Sequence, residues 1–181
     1  MSSREFEIMP ASLADAEPLR AMQARSMRVL GGGYYPVSTI ESFLRSPGTM
    51  DDAVLAEGRY LVARDGAGRI VGSGGWSRLQ PGYAKGGVAM PMARDRAVVR
   101  SVFVEPACAR QGIGGAIMRR IEDDSAAAGV ETLALTATLS GMPLYGVLGY
   151  IVLRPRTLVL GDGAPFEAIE MEKRLTCRKA A

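Results

Sequence analysis

Two periods of apolar and polar residues alternate along the chain and set out its elements. Arg4 to Met9 alternates with a period of two and predicts a first strand. Ser12 and Asp15 have the spacing of a capping box, and Leu13 to Leu30 predicts a helix ended by Gly31-Gly32-Gly33. Ser38 and Glu41 suggest a second capping box, opening a short helix through Leu44, with Pro47-Gly48 as its stop. Arg59 to Arg64, the turn Asp65-Gly66-Ala67-Gly68 and Arg69 to Trp76 predict a hairpin. The Gly- and Pro-rich stretch from Arg78 to Arg96 predicts a long connection of the functional kind. Val98 to Val104 is β-branched and reads as a buried strand. Ile113, Ile117 and Ile121 recur at i, i+4 and i+8, the inner face of a helix that Gly129 ends. Thr132 to Ala137 alternates as a strand, Met142 to Leu148 predicts a short helix before Gly149, and Tyr150 to Arg154 and Phe166 to Lys173 complete the strands. The resulting order is β-α-α-β-β-β-α-β-α-β-β. With no internal repeat, low-complexity segment or linker, residues 1–181 are expected to form a single α/β (α+β) domain.

The segment from Val98 to Gly115 carries the most chemistry. It reads as a buried strand, a tight loop and a helix start. Gly112, Gly114 and Gly115 lack β-carbons, so main-chain N–H groups there can approach a ligand closely. A helix start adds unpaired amides and the positive end of its dipole. Together these suit an anion such as a pyrophosphate. A glycine cluster alone equally suits a plain helix entrance. A P-loop would need Lys-Ser/Thr after its last glycine, where Ala116-Ile117 stands. A dinucleotide fingerprint would need a third glycine where Ile117 lies.

Val104-Glu105-Pro106 followed by Ala109-Arg110-Gln111-Gly112-Ile113-Gly114 resembles the coenzyme motif of the GNAT family of N-acetyltransferases, Gln/Arg-x-x-Gly-x-Gly/Ala after a strand ending in Val-x-Pro. Ala109 departs from that motif, where the family usually has Gln or Arg. Downstream, Leu144-Tyr145-Gly146-Val147-Leu148-Gly149-Tyr150 looks like the family's second signature. The likeness is strong from about Val98 to Val152. It implies the GNAT fold, a central mixed and mostly antiparallel sheet of about six to seven strands flanked by helices.

By the same resemblance acetyl-CoA is the cosubstrate and an amine the acceptor, attacked directly in a ternary complex. Val102, Phe103 and Val104 would pair with the pantetheine arm on a strand splayed from its neighbour. The N–H of Val104 is a candidate to polarise the thioester. Arg110, Gln111, Gly112, Ile113, Gly114 and Gly115 would hold the diphosphate, with Ser140 or Thr138 near the pantetheine. Tyr145 takes the family's proton-donor role to the leaving thiolate, a phenol being a positioned acid; a packing tyrosine is its plain alternative. Candidate bases are Asp95, Glu105 and Glu57. Trp76 reads as core or as a wall of the acceptor cleft. Tyr34 and Tyr35 read as acceptor-site or packing residues. Arg119 and Arg120 read as a solvated helix face or as partners of the 3′-phosphate. The loop from Tyr83 to Arg94 is a possible cover for the acceptor.

Composition narrows the field further. The 181 residues contain no histidine, which excludes a Ser-His-Asp triad and histidine-ligated zinc, and no metal is expected. The two cysteines, Cys108 and Cys177, are read as reduced thiols, Cys108 as inert. Net charge is +3, with Lys and Arg scattered, so no nucleic acid is expected as partner and a basic surface suits an anionic coenzyme. No apolar run approaches the ~18–20 residues of a membrane span, and Met1 to Pro10 lacks a signal-peptide core; a cytoplasmic protein is expected, with no membrane partner. A non-catalytic acyl-CoA sensor is the competing function. The acceptor and the assembly stay open, dimers being common in the family.

Overall fold

The computed structural model describes residues 6–49, 52–81 and 91–175. The period-two segments become strands β1 (Phe6–Pro10), β2 (Tyr60–Asp65), β3 (Ile70–Ser77), β4 (Arg96–Val104), β5 (Thr132–Thr138), β6 (Ile151–Val159) and β7 (Pro165–Arg174). They form one sheet in the order β1-β2-β3-β4-β5-β7-β6. All neighbours are antiparallel except β4 and β5, and the mixed, mostly antiparallel expectation holds. The helices are α1 (Ala16–Gly31), α2 (Val37–Arg45), α3 (Asp52–Ala56), α4 (Ile113–Ala127) and α5 (Met142–Val147). Among the described residues no helix is long and apolar enough to cross a membrane.

Alternation along the strands sends side chains to two separate cores. Tyr60 and Val62 of β2 pack with Leu19 and Met22 of α1 and Val54 and Leu55 of α3. Leu61 and Ala63, one register step away, pack with Ile113, Ile117 and Ile121 of α4. The predicted isoleucine face of α4 is thus the face that meets the sheet. A third cluster joins Met27, Tyr35 and Ile40 to Leu158 and Phe166 at the β6–β7 end.

Several local expectations are corrected. A 3₁₀ turn, Leu13–Asp15, precedes α1, so the helix proper starts at Ala16. Ser38 and Glu41 form no capping box: α2 starts at Val37 behind Pro36, which puts Ser38 inside the first turn. Glu41 is drawn instead to Arg28, with Nε–Oε1 2.7 Å. The short helix α3 was not anticipated. β6 runs on to Val159 instead of stopping at Arg154, because Pro155 is tolerated on an edge strand. The start of the first strand at Arg4, the loop over residues 82–90 and Cys177 lie outside the described residues.

Two glycines of β3 set the distance between α4 and the sheet. A β-carbon on Gly72 would stand 2.6 Å from Ile113 Cγ2 and 2.8 Å from Ile117 Cδ1. On Gly74 it would stand 2.8 Å from Ile117 Cγ2 and 3.1 Å from Val102 Cγ2. Contacts under 3.0 Å do not occur between real side chains, so a β-carbon there forces either the isoleucines or the helix to shift. Gly72→Ala is therefore expected to cost about 1–3 kcal/mol through overpacking. Urea unfolding checks this; an unchanged midpoint would mean that the isoleucines simply re-rotate.

Candidate active site

The site begins as a defect in β4. Ser73 pairs with Phe103 while Gly75 pairs with Arg100, so β4 carries one residue more than β3 over that interval. Ser101 absorbs the excess with φ +52°, in the left-handed region that a non-glycine residue rarely enters. Its carbonyl is held by two converging donors. Tyr60 Oη donates to Ser101 O at 3.2 Å and Ser73 Oγ donates to it at 3.1 Å. Both hydroxyls in turn accept from one amide group, Gln23 Nε2, at 2.6 and 3.1 Å. Gln23, Tyr60 and Ser73 come from α1, β2 and β3, and all three are 0% exposed. A buried amide NH₂ with two donors, two hydroxyl relays and a carbonyl with two lone pairs makes a stoichiometric match.

Ahead of the bulge, β4 already leaves β5. The two strands pair from Arg96–Val98 against Thr132–Ala134 and no further, while β5 stays with β7 through Thr138↔Ala168. A wedge opens between β4 and β5. Glu105 N–H donates back to Val71 O on β3 at 3.0 Å. By alternation along the strand, the N–H of Val104 faces the wedge. A cleft of about 920 Å³ runs through this wedge, lined on its way by Val99 to Val104 and by Leu135, Thr136 and Thr138.

At one end the cleft meets the start of α4. A 3₁₀ turn over Pro106–Cys108 leads to Arg110 at φ +64° and Gly112 at φ +85°. Gly112 is the N-cap residue and supplies no side-chain cap. The first bond into the helix is Ala116 N–H to Gly112 O, 2.9 Å. Among the described residues, no protein acceptor meets the N–H groups from Arg110 to Gly115. They line a cavity with the positive end of a helix dipole behind them. Arg119 stands beside them, its Nη1 3.4 Å from where a β-carbon on Gly115 would lie. Gly114 has a different reason to be glycine: its β-position faces Leu144 Cδ2 at 3.1 Å and Val104 Cγ2 at 3.5 Å, where α4, α5 and β4 meet.

Tyr145 of α5 lines the same cleft and is 8% exposed. Its ring meets Tyr150 edge-on at 5.8 Å. Burial pushes its phenol pKa well up. No described residue hydrogen-bonds its hydroxyl. Thr138 Oγ1 accepts the Gly141 N–H and lies 3.1 Å from Ser140 Oγ, shaping the turn into α5.

A sequence profile of the acetyltransferase (GNAT) family matches residues 27–150, which include most of the residues that line this cleft. The chain belongs to the GNAT acetyltransferase family. Solved structures agree on the fold. The GCN5-related N-acetyltransferase of Rhodopseudomonas palustris matches at TM-score 0.74 and 19% identity, over 97% of this chain and 99% of that one. PaiA N-acetyltransferase from Thermoplasma acidophilum, solved with coenzyme A, gives 0.66 and 17%, over 94% and 99%. The yncA protein of Salmonella typhimurium, solved with acetyl-CoA, gives 0.64 and 19%, over 98% of each chain. No curated protein matches the sequence.

Within this GNAT fold, Val102, Phe103, Val104, Arg110, Gly112, Ile113, Gly114, Gly115, Ser140 and Tyr145 all line one cleft. Gln111 does not; its side chain turns to Ala107 O at 3.4 Å. None of the three candidate bases lines the cleft. Glu105 is paired with Arg25 at 2.8 Å. Glu57 is held by Arg59 and by Ser77 Oγ at 2.8 Å. Asp95 lies in the turn whose carbonyl receives the Glu131 and Thr132 amides. The carboxylate that does reach the cleft is Asp52, on the unanticipated helix α3. Trp76 belongs to the core, with the Arg59 guanidinium 4.5 Å above its ring. Tyr34 lines the cleft, while Tyr35 is buried. Arg120 pairs with Asp124 at 2.9 Å; among the described residues Arg119 has no ion pair. Sequence reasoning missed Gln23, Tyr60 and Ser73, whose signal was a polar residue at an otherwise apolar, inward position of its element.

Ser73→Ala removes one of the two donors to the Ser101 carbonyl and one acceptor of the Gln23 amide. It is expected to cost about 1–3 kcal/mol in urea unfolding. A variant as stable as the parent would show that Tyr60 holds the bulge unaided.

Proposed function

We propose that this chain transfers the acetyl group of acetyl-coenzyme A to a primary amine, by direct attack with both substrates bound in one cleft of a single domain. The observation that carries this is the row of N–H groups from Arg110 to Gly115, without protein acceptors, at one end of a cleft that passes through the sheet. A diphosphate supplies the charge and the acceptor oxygens that such a row satisfies. Arg119 adds a cation beside it. The wedge between β4 and β5 gives an extended arm a main-chain edge to pair with, and the Val104 N–H faces into it. That N–H is the donor we assign to the thioester oxygen, where negative charge develops during attack.

In the reaction the amine nitrogen bonds to the acetyl carbon and the carbon–sulfur bond breaks. The proton lost from nitrogen balances the one gained by sulfur. Tyr145 is the acid on the sulfur side. Its burial keeps the phenol neutral past the ordinary tyrosine value of about 10, so it stays a donor throughout the neutral range. The rest of the rate gain comes from holding nucleophile and thioester in contact.

Two outcomes test the reading. Gly115→Glu places a carboxylate in the first turn of α4, where it favours the helix but competes for the same amides. Acetyl-CoA affinity by calorimetry is expected to fall more than about tenfold with thermal stability unchanged or raised; unchanged affinity would remove the diphosphate assignment. Tyr145→Phe is expected to lower kcat by about 10²-fold while leaving coenzyme affinity within about twofold. The parent's kcat should show no alkaline limb from this phenol below about pH 10, because its raised pKa keeps the proton on. Equal turnover by the phenylalanine variant would end the proton-donor role.

A further inference from the structure

We propose that the acceptor is a primary amine carried on an aromatic or branched aliphatic group, in preference to a polyamine or an aminoglycoside. This deepens the acetyl-transfer reading above and rests on it. Past the wedge, the cleft opens onto the sheet face that carries α1 and α2. There its walls are Met27 and Leu30 of α1, Phe43 of α2, Leu158 of β6 and Phe166 of β7. Phe166 is 1% exposed and stacked twice, against Tyr35 at 4.5 Å and 13° and against Phe43 at 4.6 Å and 22°. One ring accepts two parallel stacks only across its two faces, so the three rings form a stiff pile. Tyr35 pins that pile to the sheet: its hydroxyl donates to Glu167 O at 2.8 Å and accepts from Leu139 N–H at 2.7 Å. The wall is therefore rigid as well as apolar, which favours a ligand of fixed, flat or compact shape.

Charge points the same way. Among the described residues that line the cleft, the carboxylate is Asp52, which is rim-exposed with 69% of its side chain accessible and already paired with Arg20. A polycation would have to strip water from several ammonium groups against a largely apolar wall whose carboxylate, Asp52, is already paired. A single amine on an apolar body leaves only its reacting nitrogen to be desolvated. That desolvation disfavours the ammonium form and lowers the amine's pKa, as it does for a buried lysine. The acceptor then reaches the neutral, nucleophilic state by giving one proton to water at the cleft mouth, without a side-chain base. Asp95, Glu105 and Glu57 all lie off the cleft, and the proposed acceptor needs none of them. On attack the C–N bond forms, the C–S bond breaks, and the surplus proton on nitrogen balances the one Tyr145 delivers to sulfur.

The experiment uses the full chain with phenylethylamine, isopentylamine, spermidine and kanamycin. Thiol release from acetyl-CoA gives kcat/KM for each. Calorimetric titration of each amine into protein saturated with coenzyme A gives binding without chemistry. The two apolar amines are expected to exceed the polycations in kcat/KM by about 100-fold or more. Comparable or higher values for spermidine or kanamycin overturn the acceptor class. Coenzyme-dependent binding of phenylethylamine without turnover of any amine upholds the acceptor class and overturns acetyl transfer. Absence of both binding and turnover for the two apolar amines overturns the acceptor class. Leu30→Glu, at a half-buried helical position, provides the second arm. It is expected to lower kcat/KM for phenylethylamine by at least about tenfold, with coenzyme affinity and unfolding midpoint unchanged. An unchanged kcat/KM in that variant also overturns the proposal.

Discussion

The Ser101 carbonyl and its two donors hold β4 on the β3 side of the opening in the sheet. A left-handed φ at a serine costs about 1–3 kcal/mol and would relax unless its surroundings held it. Here a buried amide on α1 directs two hydroxyls, one from β2 and one from β3, onto the same oxygen. In a dry core each of those bonds is strong, and losing any member leaves a buried polar group short of a partner. The network therefore ties the bulge to three elements at once. Past Val98, where its seam with β5 ends, β4 stays with β3, while β5 stays with β7. The cleft is the space between two half-sheets that share a short parallel seam.

The helix start depends on a separate steric constraint. α4 lies close to the sheet because β3 offers Gly72 and Gly74 beneath Ile113 and Ile117. The same isoleucines bury the helix's apolar face in the larger core. Close seating brings the first turn of α4 level with the end of β4, where the bare Gly114 leaves room for both Leu144 and Val104. The residues of that turn line the cleft. Moving α4 outward by the width of a methyl group would separate the turn with its unpaired amides from the main-chain edge of β4. Any ligand spanning both would lose one of them.

Much of this was legible in the sequence because it is local. Alternation gave the strands, the isoleucine spacing of α4 gave its inner face, and Gly112 with its neighbours marked the loop, each a property of a few consecutive residues. The bulge was not legible, since Gln23, Tyr60, Ser73 and Ser101 are far apart in the chain and each looks ordinary alone. A serine between glycines in an apolar strand was the available hint. α3 was missed because Asp52–Ala56 is too short to show a period. The carboxylates Glu57, Asp95 and Glu105 were proposed for their nearness in sequence to the key strands. Nearness in space depends on tertiary pairing: Glu57 and Glu105 are paired elsewhere, and Asp95 lies off the cleft. The part of Gly72 and Gly74 in admitting α4 was not legible either, because it depends on a helix some forty residues further along the chain.

The two ends of the cleft are built from opposite materials. At the α4 end, main-chain donors, a helix dipole and Arg119 suit a ligand that is highly charged and keeps its charge. At the α1–α2 end, a pile of aromatic rings suits a ligand that has little charge or sheds it. Between them lie the Val104 N–H and the neutral Tyr145, the donors we propose for the charge that appears during reaction and for the leaving sulfur. Under the proposed reading, a chain without histidine divides the acid–base work between desolvation of the incoming amine and a phenol kept protonated by burial. What remains is to hold two molecules in contact. Alignment of that kind is worth roughly 7–11 kcal/mol of barrier when the geometry is rigid. Rigidity is what the buried amide, the β3 glycines and the stacked rings each contribute, from three different parts of the chain.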